Sequence, residues 1–115
     1  HIIDPLDVLD FHNFLARSYM ILTDSGGIQE EAPSCGIPVV VLRNETERQE
    51  AIDAGTVALA GTEKEKIVQV VSELMEDSDK YQKMARAVNP YGDGHASERI
   101  VERILNYFEE KGMEA

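Results

Sequence analysis

The sequence predicts an α/β fold with a parallel sheet. Three observations carry that reading. Short β-favouring runs, YMILT at 19–23, VVVL at 39–42 and TVALAG at 56–61, alternate with stretches of helical periodicity. The middle run is apolar without interruption, as in a strand covered on both faces of a parallel sheet. The order helix, strand, helix, strand, strand, helices is the alternation such a sheet requires. A doubly wound sheet normally has five or six strands, so three strands read as the latter half of such a domain.

The elements follow in order. The chain opens abruptly on HIID, as though a strand had been cut or the protein started elsewhere. DVLDFHNFLAR (7–17) places Val8, Leu9, Phe11, Phe14 and Leu15 at near-helical spacing, with Asp4 or Asp7 as cap. The run 19–23 reads as a buried strand, bounded by turn chemistry at Asp24-Ser25-Gly26-Gly27 and followed by a helix from about Gly26 to Ser34. Pro33 lacks an N–H and loosens the end of that helix. RNETERQEAIDAG (43–55) is charged and reads as a loop with one or two helical turns at most. Thr62 and Glu65 have the spacing of a capping box for a helix presenting Ile67, Val70, Val71 and Leu74. Asp77-Ser78 breaks it, Lys80 to Val88 forms another helical stretch, and NPYGDG (89–94) is a turn cluster. Ile100, Val101, Ile104, Leu105 and Phe108 mark an amphipathic terminal helix over residues 95–110.

Composition narrows the function. The 115 residues suit one small domain or a piece of a larger one, and 43% hydrophobic content is ordinary for a globular chain. A net charge of −11 argues against a nucleic-acid or anionic-membrane surface, although a few local donors still suffice for a phosphate ligand. The single cysteine, Cys35, allows no internal disulfide; with no membrane-length apolar run and no signal-peptide pattern, the expected location is cytoplasmic.

The residues with the best claim to chemistry are Ser25, Gly26 and Gly27. Glycines between strand and helix admit a ligand close to the backbone, and the N–H groups and positive dipole end of the helix suit a phosphate. The same turn also serves as a plain strand-to-helix connection. It is not GxGxxG, GxxxxGK[ST] or GxSxG, so neither a nicotinamide cofactor, an ATP-hydrolysing loop nor a nucleophile elbow is indicated. Glu30 and Glu31 lie too far along the helix to meet a phosphate; one is suited to sugar hydroxyls and the other to solvent. Arg43 and Arg48 flank the end of the 39–42 strand, where ligands of open α/β sheets gather. They either meet an anion near Ser25 or form salt bridges to Glu45, Glu47 or Glu50. His1, His12 and His95 are scattered without metal-ligand spacing, so no metal is expected and His12 reads as a surface residue.

Taken together, PLDVLDFHNFLARS, LTDSGGIQEEAPSCGIPVVVLR, TER, GT and NPYGDGHAS resemble the non-hydrolysing UDP-N-acetylglucosamine 2-epimerases over essentially the whole chain. The resemblance implies the UDP-binding, C-terminal lobe of a two-lobed, Rossmann-like fold of the glycosyltransferase-B type. Residues 1–115 would be the latter portion of that lobe, and the terminal helix would cross toward an N-terminal lobe. By the same resemblance Ser25, Gly26 and Gly27 match the diphosphate-binding turn and Glu31 the carboxylate that holds the ribose hydroxyls. Leu6 to Phe11 match the uracil-contacting stretch, with Phe11 at the base. Arg48 matches the arginine of the family's TERPE motif, here Thr46-Glu47-Arg48-Gln49-Glu50, in which Gln49 replaces proline and leaves the loop less rigid.

The implied reaction inverts C2 of UDP-GlcNAc to give UDP-ManNAc, with no cofactor. Its proton-handling carboxylates and histidine come from upstream segments, so no catalytic residue is assigned here and the isolated chain is expected to be inactive. Two other readings stand beside it: a glycosyltransferase of the same two-lobed architecture, and a non-catalytic binding module. An open sheet edge and an apolar helix face are expected to favour dimerisation or other self-association.

Overall fold

The computed structural model describes residues 1–113. Its order is α1 (Val8–Ala16), β1 (Ile21–Thr23), α2 (Gly26–Glu31), a 3₁₀ turn (Ala32–Cys35), β2 (Val39–Val41), α3 (Gln49–Ala54), β3 (Val57–Leu59), α4 (Lys64–Glu76), α5 (Ser78–Ala85) and α6 (Ala96–Glu110). The three strands form one parallel sheet in the order β1-β2-β3. Ile21, Val39 and Val57 stand in register, as do Thr23, Val41 and Leu59.

Strand alternation divides the core in two. Val39, Val41 and Val57 face Leu15 of α1, Ala32 of the 3₁₀ turn and Ala51 of α3, with Ile28 and Ile52 packed against them. Val40 points the other way, onto Leu74, Ile67, Val70 and Val71 of α4 and Met84 of α5. All three β2 valines are therefore buried, as their uninterrupted apolar run predicts. The 19–23 run behaves differently. Only Ile21–Thr23 pair, and Leu22 is 44% exposed, because β1 is an edge strand and α4 and α5 cover the far face over β2 and β3.

Several boundaries depart from expectation for local reasons. Asp7, not Asp4, caps α1, accepting from the Asp10 N–H at 3.1 Å. The helix expected to reach Ser34 stops at Glu31, since Pro33 cannot donate the next helical hydrogen bond. The chain tightens into a 3₁₀ turn that Gly36 closes at φ 71°. The Thr62–Glu65 capping box does not form: the Gly61 N–H donates to the Arg43 carbonyl, Thr62 and Glu63 carry the chain outward, and α4 starts at Lys64 with Glu63 at its N-cap and no side-chain cap. Asp77 ends α4 and caps α5, accepting from the Asp79 and Lys80 N–H groups, so α5 starts two residues earlier than its periodicity suggests.

The terminal helix stands apart. It contains no buried residue, and Ile100, Val101, Ile104 and Leu105 remain exposed. The radius of gyration is 18.2 Å, against about 13 Å for a compact chain of this length, because α6 projects from the sheet. At its base Arg99 makes a two-pronged ion pair with Asp93, one hydrogen bond being 2.8 Å. Arg99, helped by the His95 N–H, lowers the Asp93 carboxyl to about 2 from an ordinary 3.8. A depressed carboxyl supports the folded state fully above its unfolded value and loses that support as the pH falls through the folded one. An NMR titration is therefore expected to find the Asp93 midpoint near 2 and to find it raised toward 3.8 in Arg99→Gln.

Candidate nucleotide site

The carboxyl end of β1 turns into α2 through Asp24 and Ser25. Thr23 shapes that turn, its Oγ1 accepting the Ser25 N–H at 3.0 Å. Ser25 holds the N-cap position in extended backbone, and its hydroxyl makes no capping hydrogen bond. First-turn N–H groups of a helix have no acceptor within it, so those of α2 are directed at whatever occupies the turn.

The two glycines differ. A methyl group on Gly26 would stand 2.9 Å from Glu47 Oε1 and 3.2 Å from Arg48 Nη2; the 43–48 loop thus lays its charged ends directly on this residue. At Gly27 the nearest atom such a methyl would meet is Ser25 Oγ, 3.9 Å away, and the residue is exposed. Neither has positive φ; Gly26 is needed for the close approach of the loop, whereas Gly27 borders open space.

Charges converge on the same place. Arg48 Nε donates to Glu30 Oε1 at 2.6 Å, and Arg48 Nη1 lies 3.3 Å from Glu47 Oε1. Arg43 Nη1 reaches the other Glu47 oxygen at 3.0 Å. A hydrogen bond from its own N–H, with Arg43 adding to it, holds the Glu47 carboxyl below its ordinary value. Of the two outcomes open for the arginines, this state realises the ion pairs, through Glu47 as anticipated and through Glu30, which was not. Tyr91 brings the NPYGDG turn to the same neighbourhood: burial raises its phenol, and the Glu50 carboxylate pushes in the same direction.

Further along α2, Glu31 Oε2 lies 3.1 Å from His12 Nε2 on α1. Both side chains are about half exposed. His12, read as a plain surface residue, is thus the partner of a candidate ligand carboxylate. Phe11 is half-buried against the core, its ring centroid 6.1 Å from that of His12, and Leu6 is half-buried on the extended entry to α1. Glu31 lies five positions after Gly26, about 7.5 Å along the helix. That suits a phosphate at one end and a sugar at the other.

Residues 1–105 match the UDP-N-acetylglucosamine 2-epimerase family. The chain belongs to that family. The epimerase of Bacillus subtilis strain 168 is 60% identical over 108 residues, which are 94% of this chain and 28% of that relative. A crystal structure of a UDP-N-acetylglucosamine 2-epimerase superposes with TM-score 0.90 at 59% identity, over 96% of this chain and 30% of the other. The Neisseria meningitidis 2-epimerase bound to UDP-GlcNAc gives 0.89 at 52% identity, over 92% and 29%. The fold is accordingly the α/β, partial parallel sheet of the 2-epimerases, a glycosyltransferase-B type, and the chain spans under a third of those relatives. In this 2-epimerase chain the structure brings Arg48 onto Gly26, next to Ser25 and Gly27, and sets Glu31 farther along α2 against His12, the neighbour of Phe11. No helix among the described residues is long and apolar enough to cross a membrane.

Proposed function

We propose that this chain is the UDP-binding portion, from the C-terminal lobe, of a UDP-N-acetylglucosamine 2-epimerase. The observation that carries the reading is the Arg48 guanidinium lying on Gly26, at the mouth of a glycine turn whose helix holds a carboxylate farther on. The Ser25 hydroxyl, the Gly26 and Gly27 amides and Arg48 hold the diphosphate, the Ser25 N–H being already given to Thr23. Glu31 takes the ribose diol, and Leu6 and Phe11 border the uracil. An incoming diphosphate takes the Arg48 guanidinium from Glu30 and Glu47, a exchange of one anionic partner for another at a half-buried site.

The reaction served is inversion at C2. A base removes the C2 proton while the anomeric C–O bond breaks, releasing UDP and leaving a glycal; UDP then re-adds as a proton returns to the opposite face. The proton-handling groups lie outside this chain. Its contribution is to stabilise charge growing on the UDP leaving group, where preorganised amides and a cation act most strongly. The family match favours this over a glycosyltransferase, and an epimerase interconverts UDP-GlcNAc with UDP-ManNAc without an acceptor. UDP-sugars as ligands and a free Cys35 fit a cytoplasmic setting. The open β1 edge and the α6 stripe support self-association, which concentration-dependent sedimentation velocity would reveal.

Titration calorimetry tests the site. UDP is expected to bind more tightly than UMP. Glu31→Ala is expected to weaken both by about tenfold, and Ser25→Ala to weaken UDP more than UMP. UDP binding untouched by both substitutions would remove the site as drawn.

A further inference from the structure

We propose that Gln29 is a positioning residue that, through Thr46, fixes Arg48 against the glycine turn; the inference rests on reading that turn and Arg48 as the diphosphate site. Gln29 is fully buried, which is costly for an amide unless its polar ends are bonded. Both are. Its Nε2 donates to the Ser25 carbonyl at 3.2 Å, and its Oε1 accepts from Thr46 Oγ1 at 2.9 Å. Thr46 Oγ1 accepts in turn from the Arg48 N–H at 3.1 Å. Three hydrogen bonds thus run from the backbone of the turn to the backbone of the arginine, across 17 residues of sequence between Gln29 and Thr46.

The bridge does what the ion pairs cannot. Glu30 also ties Arg48 to α2 and Glu47 braces the guanidinium from within the loop, but their side chains are 43% and 51% exposed and screened by solvent. Those pairs must also open when a diphosphate claims the guanidinium. The Gln29–Thr46 link involves no atom of the guanidinium and stays made while it changes partners. The backbone of Arg48 is held and only its side chain swings, which keeps a loop that lacks the family's proline in one conformation.

The test compares UDP with uridine, since a residue that positions Arg48 affects the phosphates and not the nucleoside. Affinities are measured by NMR titration and melting temperatures alongside. Gln29→Leu and Thr46→Val are each expected to lower the UDP-to-uridine affinity ratio by about tenfold, with uridine affinity unchanged within about twofold. Thr46→Ser keeps the hydroxyl and is expected to keep the ratio. The double variant Gln29→Leu/Thr46→Val should lose no more than either single one, because both break one chain of bonds. Should Gln29→Leu fail to fold, the contrast of Thr46→Val with Thr46→Ser decides alone. A wild-type ratio in folded Thr46→Val overturns the inference while leaving the site standing. A parallel fall of UDP and uridine affinity overturns it too, by reducing the bridge to a structural role. A wild-type chain that binds UDP no better than uridine overturns the diphosphate reading and the inference with it.

Discussion

Arg48→Ala is expected to weaken UDP binding by about tenfold to a hundredfold, the range for losing a charge-assisted contact, while uridine affinity stays unchanged. Isothermal titration of both ligands measures it. The guanidinium already lies on Gly26 and needs only to exchange carboxylate partners for phosphate oxygens. Two costs set the lower end of the range. Breaking the 2.6 Å contact to Glu30 offsets part of the gain, and the side chain is 28% exposed, so solvent moderates it. Arg43→Ala is the informative contrast. Among the described residues Arg43 is linked to the turn through Glu47, so its loss should change UDP affinity by less than about threefold. Equal losses in the two variants would mean that the site responds to general positive charge and not to a placed guanidinium.

The largest effect on stability is expected at Val40. This residue is fully buried on the central strand, between β1 and β3 and beneath α4 and α5. Val40→Asp puts a carboxylate there without a partner, which costs upward of about 4 kcal/mol, comparable to the whole stability of a small domain. Loss of the cooperative thermal transition is the expected result by circular dichroism. Leu22 is its register partner on β1 yet is 44% exposed, so Leu22→Asp should cost only about 1 kcal/mol and leave the transition intact. A folded Val40→Asp would contradict the two-faced packing of this sheet.

The contrast between those neighbours shows what the sequence could disclose. Three consecutive valines in β2 announce a strand covered on both faces, and the structure buries all three. YMILT is equally apolar, but its exposure depends on which strand stands beside it, and no local pattern encodes that. Caps failed for a related reason. Thr62 and Glu65 have ideal spacing, yet Gly61 bonds to the distant Arg43 carbonyl and α4 begins at Lys64, with Glu63 and not Thr62 at its N-cap. The site divides the same way. Strand, glycine turn and helix are contiguous in sequence, so Ser25, Gly26 and Gly27 could be picked out directly. The pairs Glu30/Glu31 and Arg43/Arg48 were legible as candidates, and family resemblance chose Glu31 and Arg48 from them and brought in Leu6 and Phe11. What stayed hidden were pairings between distant segments: Glu30 with Arg48, Glu31 with His12, and Gln29 with Thr46. A glutamine four residues after the turn serine was the one local hint, since that spacing lets its amide reach back to the Ser25 carbonyl.

Amide chemical shifts of Gly26 and Gly27 during a UDP titration show whether the glycine turn holds the diphosphate. Both resonances should move saturably along with Arg48 Nε, and uridine should leave the two glycine amides in place while moving those near Phe11 and Glu31. Glycine amides that stay still at saturating UDP, with shifts confined to another surface, would contradict it.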